Sequence, residues 1–275
     1  MDLQVLHDKT SIWSFLKKNS GLQIYSIGDL DDFFWPKTIW YALKDADTIK
    51  SIALMYVGMD TPTLLSFYNG ESQFSYQLIE RIKHILPVKF NAHLSSGLLN
   101  IFGQQNILDY YGLNYKMILT KETSDPNDKN IRKLSMEDLA IIKEFYTVSY
   151  PQNWFDSRML ETDKYYGYFI NNKFVGVSGI HVFSEEYKVA GLGNIATHPE
   201  YRGKQIGYKL TSALCFDLQK NVDSIGLNVR SDNKYAIKCY KKIGFEIIGT
   251  YDECYIKNDF SNSTKSNRGY LSPEK

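Results

Sequence analysis

The sequence predicts an α/β fold of the α+β kind, built as two compact domains. Three observations lead there. The chain has 275 residues, more than the ~100–200 usual for one domain. A polar seam, KETSDPNDKN at 121–130, holds no large apolar side chain and includes Pro126, as linkers do. On either side of it, β-forming apolar runs alternate with segments of helical spacing in a similar order. The predicted domains are 1–125 and 126–260, followed by a polar tail, 261–275, with little to bury.

In the first domain, TIWYALKD (38–45), IKSIALMYVGM (49–59) and PTLLSFYN (62–69) read as strands, because apolar β-formers are bounded by Asp, Gly, Asn and Pro. FSYQLIERIKHIL (74–86) is a helix, with Phe74, Leu78, Ile82 and Ile85 on one face. An extended KFNAHLS (89–95), a short helical LLNIF (98–102) and a strand NYKMILT (114–120) complete the domain. In the second, MEDLAIIKEFYTVSY (136–150) is a helix opened by Ser135 as N-cap, with Asp138 placed to form a capping box. YYGYFINN (165–172), KFVGVSGIHVF (173–183) and KVAGLGNIATH (188–198) are strands, the first two joined through a tight Asn171-Asn172 turn. QIGYKLTSALCFDL (205–218) is a helix with Ile206, Leu210, Ala213, Leu214 and Leu218 facing inward. SIGLNVR (224–230) is a strand, and NKYAIKCYKKIG (233–244) is a helix with Lys241 and Lys242 in its last turn and Gly244 at its end. FEIIGTYDECYI (245–256) supplies the closing strands.

Hydrophobic residues at 43% and charged residues at 23% suit a globular protein with packed cores. The 32 Lys and Arg nearly cancel the 31 Asp and Glu, so no global field favours nucleic acid or an anionic membrane, and any anion site is local. Cys215, Cys239 and Cys254 form no CxxC pair and are odd in number, which argues against disulfides or a zinc cluster and for reduced thiols. No metal is expected. The start MDLQVLHDKTSIW lacks a basic region leading into an apolar one, and no run nears ~18 apolar residues, so the expectation is a cytoplasmic protein without membrane spans.

One stretch asks for a ligand. Between GLGNIAT and the helix beginning near Gln205, the turn HPEYRGK delivers Arg202, Gly203 and Lys204 to a helix start. Amides there have no internal acceptors and stand at the positive end of the helix dipole. Gly203 and Gly207 let phosphate oxygens approach the backbone. The spacing alone fits both a phosphate or pyrophosphate site and a solvated basic turn.

Context separates the two. IATHPEYRGKQIGYKL resembles the coenzyme A signature of the GNAT acetyltransferase superfamily, Gln/Arg-x-x-Gly-x-Gly/Ala between a strand and a helix. NVRSDNKYAIKCYKKIGFEIIG is similar to its second motif, a strand carrying Asn followed by a helix carrying Tyr before a Gly-Phe pair. The resemblance covers about residues 131–256. It implies GNAT-like domains, each a mixed, mostly antiparallel sheet flanked by helices. Nothing like RGxxxG follows LLSFYNGES in the N-terminal half, which makes that half a degenerate copy, as in tandem glycine N-acyltransferase-like proteins. The implied activity is an acetyltransferase that uses acetyl-CoA as co-substrate, without a metal, and acetylates a primary amine by direct attack in a ternary complex.

Carried over residue by residue, the resemblance places the pyrophosphate on Arg202, Gly203, Lys204, Gln205, Ile206 and Gly207. The backbone of Asn194, Ile195, Ala196 and Thr197 would pair with the pantetheine arm and polarise the thioester carbonyl. Asn228 would hydrogen-bond that arm, while Asn233 either does so too or caps its helix. Tyr240 would be the general acid for the departing thiolate.

Two positions depart from the pattern. Its central Gly is Gln205, whose side chain would crowd the pyrophosphate, and Asn194 stands where many members carry a Glu as general base. His181 is the ionisable alternative, its other reading being a structural histidine at a strand end; His198 is assigned to turn structure. Trp154, Phe155, Arg158 and Tyr166 are offered to the acceptor, and GDLDDFFWP (28–36) either reaches that cleft or closes a core edge. The expected partner is a small-molecule or peptide amine, with no nucleic acid and no membrane, bound by a monomer or homodimer. A non-catalytic coenzyme A sensor and a Fem-like aminoacyl-tRNA transferase are the alternatives, and the near-neutral charge weighs against the second.

Overall fold

In the computed structural model the described residues are 1–68 and 70–262. The chain runs β1 (Asp2–Leu6), α1 (Lys9–Leu16), α2 (Ser20–Gly28), β2 (Thr38–Asp45), β3 (Thr48–Tyr56), β4 (Thr63–Ser66), α3 (Ser72–Ile82), β5 (Lys89–Ser95) and β6 (Ile107–Leu119). It continues through β7 (Ile131–Lys133), α4 (Leu139–Ser149), β8 (Tyr166–Ile170), β9 (Lys173–Ser184), β10 (Val189–Thr197), α5 (Ile206–Leu218), β11 (Ser224–Arg230), α6 (Lys234–Ile243) and β12 (Phe245–Lys257). The expected tail lies, from residue 263 on, outside the described residues.

Two compact units share this chain, and neither is one continuous stretch. The first comprises Met1–Phe15, Pro36–Asn114 and the described residues from Thr250; the second comprises Leu16–Trp35 and Tyr115–Gly249. The seam at 121–130 is therefore a loop inside the second unit and does not divide the two. The chain changes unit within β6 and again within β12, because each is a single 13-residue strand.

In the first unit the strand order is β1-β2-β3-β4-β5-β12-β6. The described pairings are antiparallel except β4 with β5. α3 packs on β2 and β3, burying Leu78, Ile79 and Ile82 in a core with Leu43, Leu64, Phe90 and Phe102. The helix stops at Ile82, so Ile85, expected on its inner face, is 58% exposed. LLNIF forms a 3-10 turn, Leu98–Ile101.

In the second unit the order is β12-β6-β11-β10-β9-β8-β7. β10 and β11 are parallel, while β9 pairs antiparallel with β10 and β8, and β8 with β7. Asn171 and Asn172 take φ of 48° and 63° and join Ile170 to Lys173, the left-handed pair that a tight hairpin needs. Ser135 and Asp138 form the full capping box ahead of α4. Ile206, Leu210, Ala213, Leu214 and Leu218 are all buried, and α5 lies on β8, β9 and β10. α2, which the sequence pattern does not reveal, packs on β9, β10 and β11. Among the described residues no helix is long and apolar enough to cross a membrane, and no group of three or more His, Cys, Asp or Glu could hold a metal.

Candidate functional site

β10 and β11 pair in register from Val189 with Ser224 to Leu192 with Leu227. β10 then runs on to Thr197 and β11 to Arg230, so the strands part after Leu192. β10 stays on β9, whose register shifts between Gly193 and Ala196, and within that shift Asn194 takes a φ of 55°. Such a bulge bends its strand. The fork leaves two strand edges facing a gap, where an extended, amide-bearing ligand can add its own hydrogen bonds.

The bulge is pinned from behind. Asn194 is 2% exposed. Its amide nitrogen donates to Tyr165 Oη (3.0 Å) and lies 3.7 Å from Met159 Sδ, its side-chain oxygen accepts from the Trp154 amide (3.2 Å), and its carbonyl accepts from Tyr146 Oη (2.7 Å). Asn194 thus fixes the strand, and the half-buried Ile195, Ala196 and Thr197 form the edge.

The basic turn comes next. Gly203 takes a φ of 79° and Gln205 a φ of 61°, so Gln205 is left-handed and caps a helix that begins at Ile206. That conformation accounts for the glycine in the signature. The side chain of Gln205 is directed to Lys242 Nζ on α6 (3.3 Å). The first hydrogen bond at this helix end runs from the Lys209 amide to the Gln205 carbonyl (3.0 Å), which leaves the amides of Ile206, Gly207 and Tyr208 available to an anion. Arg202 Nε donates to the Thr197 carbonyl (3.3 Å), and Lys204 Nζ lies 4.8 Å from the Tyr201 ring centre.

Phenols and one imidazole surround the fork. Tyr25 Oη donates to the Leu192 carbonyl (2.7 Å), and Tyr165 Oη to the Ile180 carbonyl (2.8 Å). The Tyr240 hydroxyl has no hydrogen-bond partner among the described residues, although its ring is 6.0 Å from that of Phe245. Burial pushes the Tyr240 phenol well above its ordinary value, and Cys239, Tyr150 and Cys215 add to the shift, so it is protonated at neutral pH. His181 is the extra residue where β9 shifts register against β10. A Cβ on Gly193 would come within 1.9 Å of His181 Cδ2, which places the imidazole directly on the Gly193 backbone. Asn228 Oδ1 is buried with no hydrogen-bond partner among the described residues.

The structure does not bring every predicted residue to this place. Asn233 accepts from the Ala236 amide (3.1 Å) as the cap of α6, and His198 Nδ1 accepts from the Glu200 amide in its turn. The acceptor set splits. Trp154 and Phe155 lie by the bulge, Phe155 against Tyr146 and Tyr165, whereas Arg158 pairs with Asp156 and stacks on Phe33 at 4.6 Å. Tyr166 is near Asp217 of α5 instead. Phe33 and Phe34, from GDLDDFFWP, line a cavity of about 300 Å³ with Met159, Ile180, Phe183 and Glu186. A second cavity of about 390 Å³, at the end of α6 beside Lys121 and Lys241, contains no predicted site residue. Tyr25, Tyr146 and Tyr165 escape sequence reasoning because no motif marks them; the high tyrosine count, 21, was the one available signal.

Residues 129–245 match the family model described as Acetyltransferase (GNAT) family. A candidate ribosomal protein bS18-alanine N-acetyltransferase of Bacillus subtilis (strain 168) is 30% identical over 136 residues, 46% of this chain and 87% of that protein. Among solved structures, a Drosophila protein superposes with a TM-score of 0.69 at 13% identity, over 92% of this chain and 98% of that one. A tandem GNAT protein from the clavulanic acid biosynthesis pathway superposes with a TM-score of 0.54 at 11% identity, over 94% and 99%. At such identities the two structures speak for the fold.

Proposed function

The chain belongs to the GNAT acetyltransferase superfamily, and from that premise we propose that it is an N-acetyltransferase, moving an acetyl group from acetyl-CoA to a primary amine by direct attack in a ternary complex. The observation that carries this reading is Asn228. A buried amide oxygen without a donor is costly unless a ligand meets it, and the pantetheine arm brings amide N–H groups to the fork. The open amides from Ile206 to Tyr208, with Arg202 and Lys204 beside them, would hold the pyrophosphate.

Acetyl-CoA supplies a thioester open to an amine and a thiolate as leaving group. The backbone edge at Ile195 to Thr197 orients the arm. Tyr240 Oη holds the proton that the thiolate takes up. Burial raises the phenol pKa, and the same dry surroundings raise that of a thiol, so donor and acceptor stay matched. His181, an imidazole at the fork, takes the proton of the attacking amine. The cavity walled by Phe33, Phe34 and Phe183 admits the acceptor.

Thermal unfolding tests the donor site and kinetics test the chemistry. Acetyl-CoA at about 100 times Kd should add about 2.7 kcal/mol of stability, and the Arg202→Ala, Gly203→Asp double variant should lose that shift. Tyr240→Phe should keep the shift yet lower acetyl transfer across an amine panel by at least about a hundredfold. No shift in the unaltered protein at millimolar acetyl-CoA would sink the reading. A retained shift with no turnover of any amine would favour a coenzyme sensor.

A further inference from the structure

We infer that Tyr25, on α2, is a positioning residue that holds the β10–β11 fork open for the pantetheine arm, so that a segment far upstream of the family-matched residues completes the site. The inference rests on the acetyl-CoA reading and adds a component that neither motif contains. Leu192 is the last residue of β10 paired with β11, and Asn228 is the first residue of β11 beyond that pair. The Tyr25 hydroxyl donates to the Leu192 carbonyl at 2.7 Å, at the end of the paired stretch. That bond ties α2 to β10 at the point where the two strands separate.

The ring is set rigidly enough for this task. α2 buries Leu22, Ile24 and Ile27 on either side of Tyr25. A Cβ on Gly191 would come within 3.1 Å of the Tyr25 ring, the Lys116 ammonium lies 5.3 Å from the ring centre, and the His181 ring centre is 6.3 Å away. Buried backbone groups keep partners wherever they can. With the hydroxyl in place the Leu192 carbonyl is satisfied from α2; without it that carbonyl would turn to β11 for a donor and draw the strands together. Asn228 carries the unpartnered side-chain oxygen, so a shift of its backbone moves the group proposed to meet the arm. Because the Tyr25 proton is engaged by Leu192, Tyr25 sets geometry, and the uncommitted proton of Tyr240 is left for the thiolate.

The test compares two probes that differ by the arm alone: acetyl-CoA, and adenosine 3′-phosphate 5′-diphosphate, which keeps the pyrophosphate. Tyr25→Phe retains the ring and removes the hydroxyl. Its Kd for acetyl-CoA should rise on the order of tenfold, the effect of losing about one buried hydrogen bond, while its Kd for the nucleotide stays that of the unaltered protein. Equal losses for both probes, or no loss for either, would overturn the inference while leaving the coenzyme site standing. If the unaltered protein binds neither probe, the coenzyme reading itself fails and this inference with it.

Discussion

At a φ of 79° and with nothing within 4 Å of where a Cβ would stand, Gly203 is constrained by its backbone alone. Gly203→Ala should therefore cost about 1 kcal/mol, the penalty of a left-handed alanine, readable as a lower urea midpoint with unchanged m. Gly193→Ala should cost more, because its Cβ meets the His181 ring. At this scale the sequence singled out positions where a motif marks them, as with Arg202, Gly203, Asn228 and Tyr240, whose roles belong to the proposal. It was silent where the role depends on a distant partner. Gln205 could be seen to replace a glycine, but the turn of its side chain toward Lys242 needs the spatial placement of α6. Asn194, marked by its motif position, proves to be tied down at both ends of its side chain.

Helix α2 explains a different kind of silence. Leu22, Gln23, Ile24, Ser26, Ile27 and Gly28 are all buried, so the segment has no solvated face and no clear apolar stripe, the signal on which helix reading depends. By contrast α5 shows its inner face plainly, and the capping box before α4 is local chemistry that sequence spacing carries whole. The deep packing of α2 takes its own C-cap, Asp29, out of water, and burial raises that carboxyl to about 8. On β6, burial lowers Lys116 to about 7. The two act on stability in opposite directions. Asp29 ionises near 3.8 when unfolded, so the stability tied to its protonated form is full below that pH and is lost as pH rises to about 8. Lys116 protonates near 10.5 when unfolded, so its contribution is lost as pH falls from there to about 7. A profile of Tm against pH should show a trough between about 7 and 8. Asp29→Asn should flatten its acid side and Lys116→Met its alkaline side; a profile unchanged by both would contradict these shifts.

For the molecule as a whole, the seam at 121–130 led the sequence reading to a cut that the units do not respect. A polar loop looks like a linker when the pairing of the strands around it is unknown. The second unit draws on Leu16–Trp35 and on β6 from Tyr115, and its core includes Met117. A fragment of residues 126–260 lacks both contributions and should show no cooperative thermal transition by circular dichroism; a sharp transition there would restore the simple division. Most of the elements from β2 on, by contrast, were legible in order from apolar runs and turn residues, whereas the parallel pair that each unit contains depends on strand pairing that spacing does not show.

The 167-residue separation between Tyr25 and Leu192 has a consequence for biosynthesis. Translation at ~5–20 residues per second keeps α2 waiting on the order of 10 s after it leaves the ribosome before β10 and β11 exist to receive it. During that interval a segment destined for burial on nearly every side is open to chaperones and to other nascent chains. Assembly of the fork is thus a late event governed by long-range closure, and a ribosome stalled before residue 230 would hold a chain that the coenzyme cannot yet stabilise.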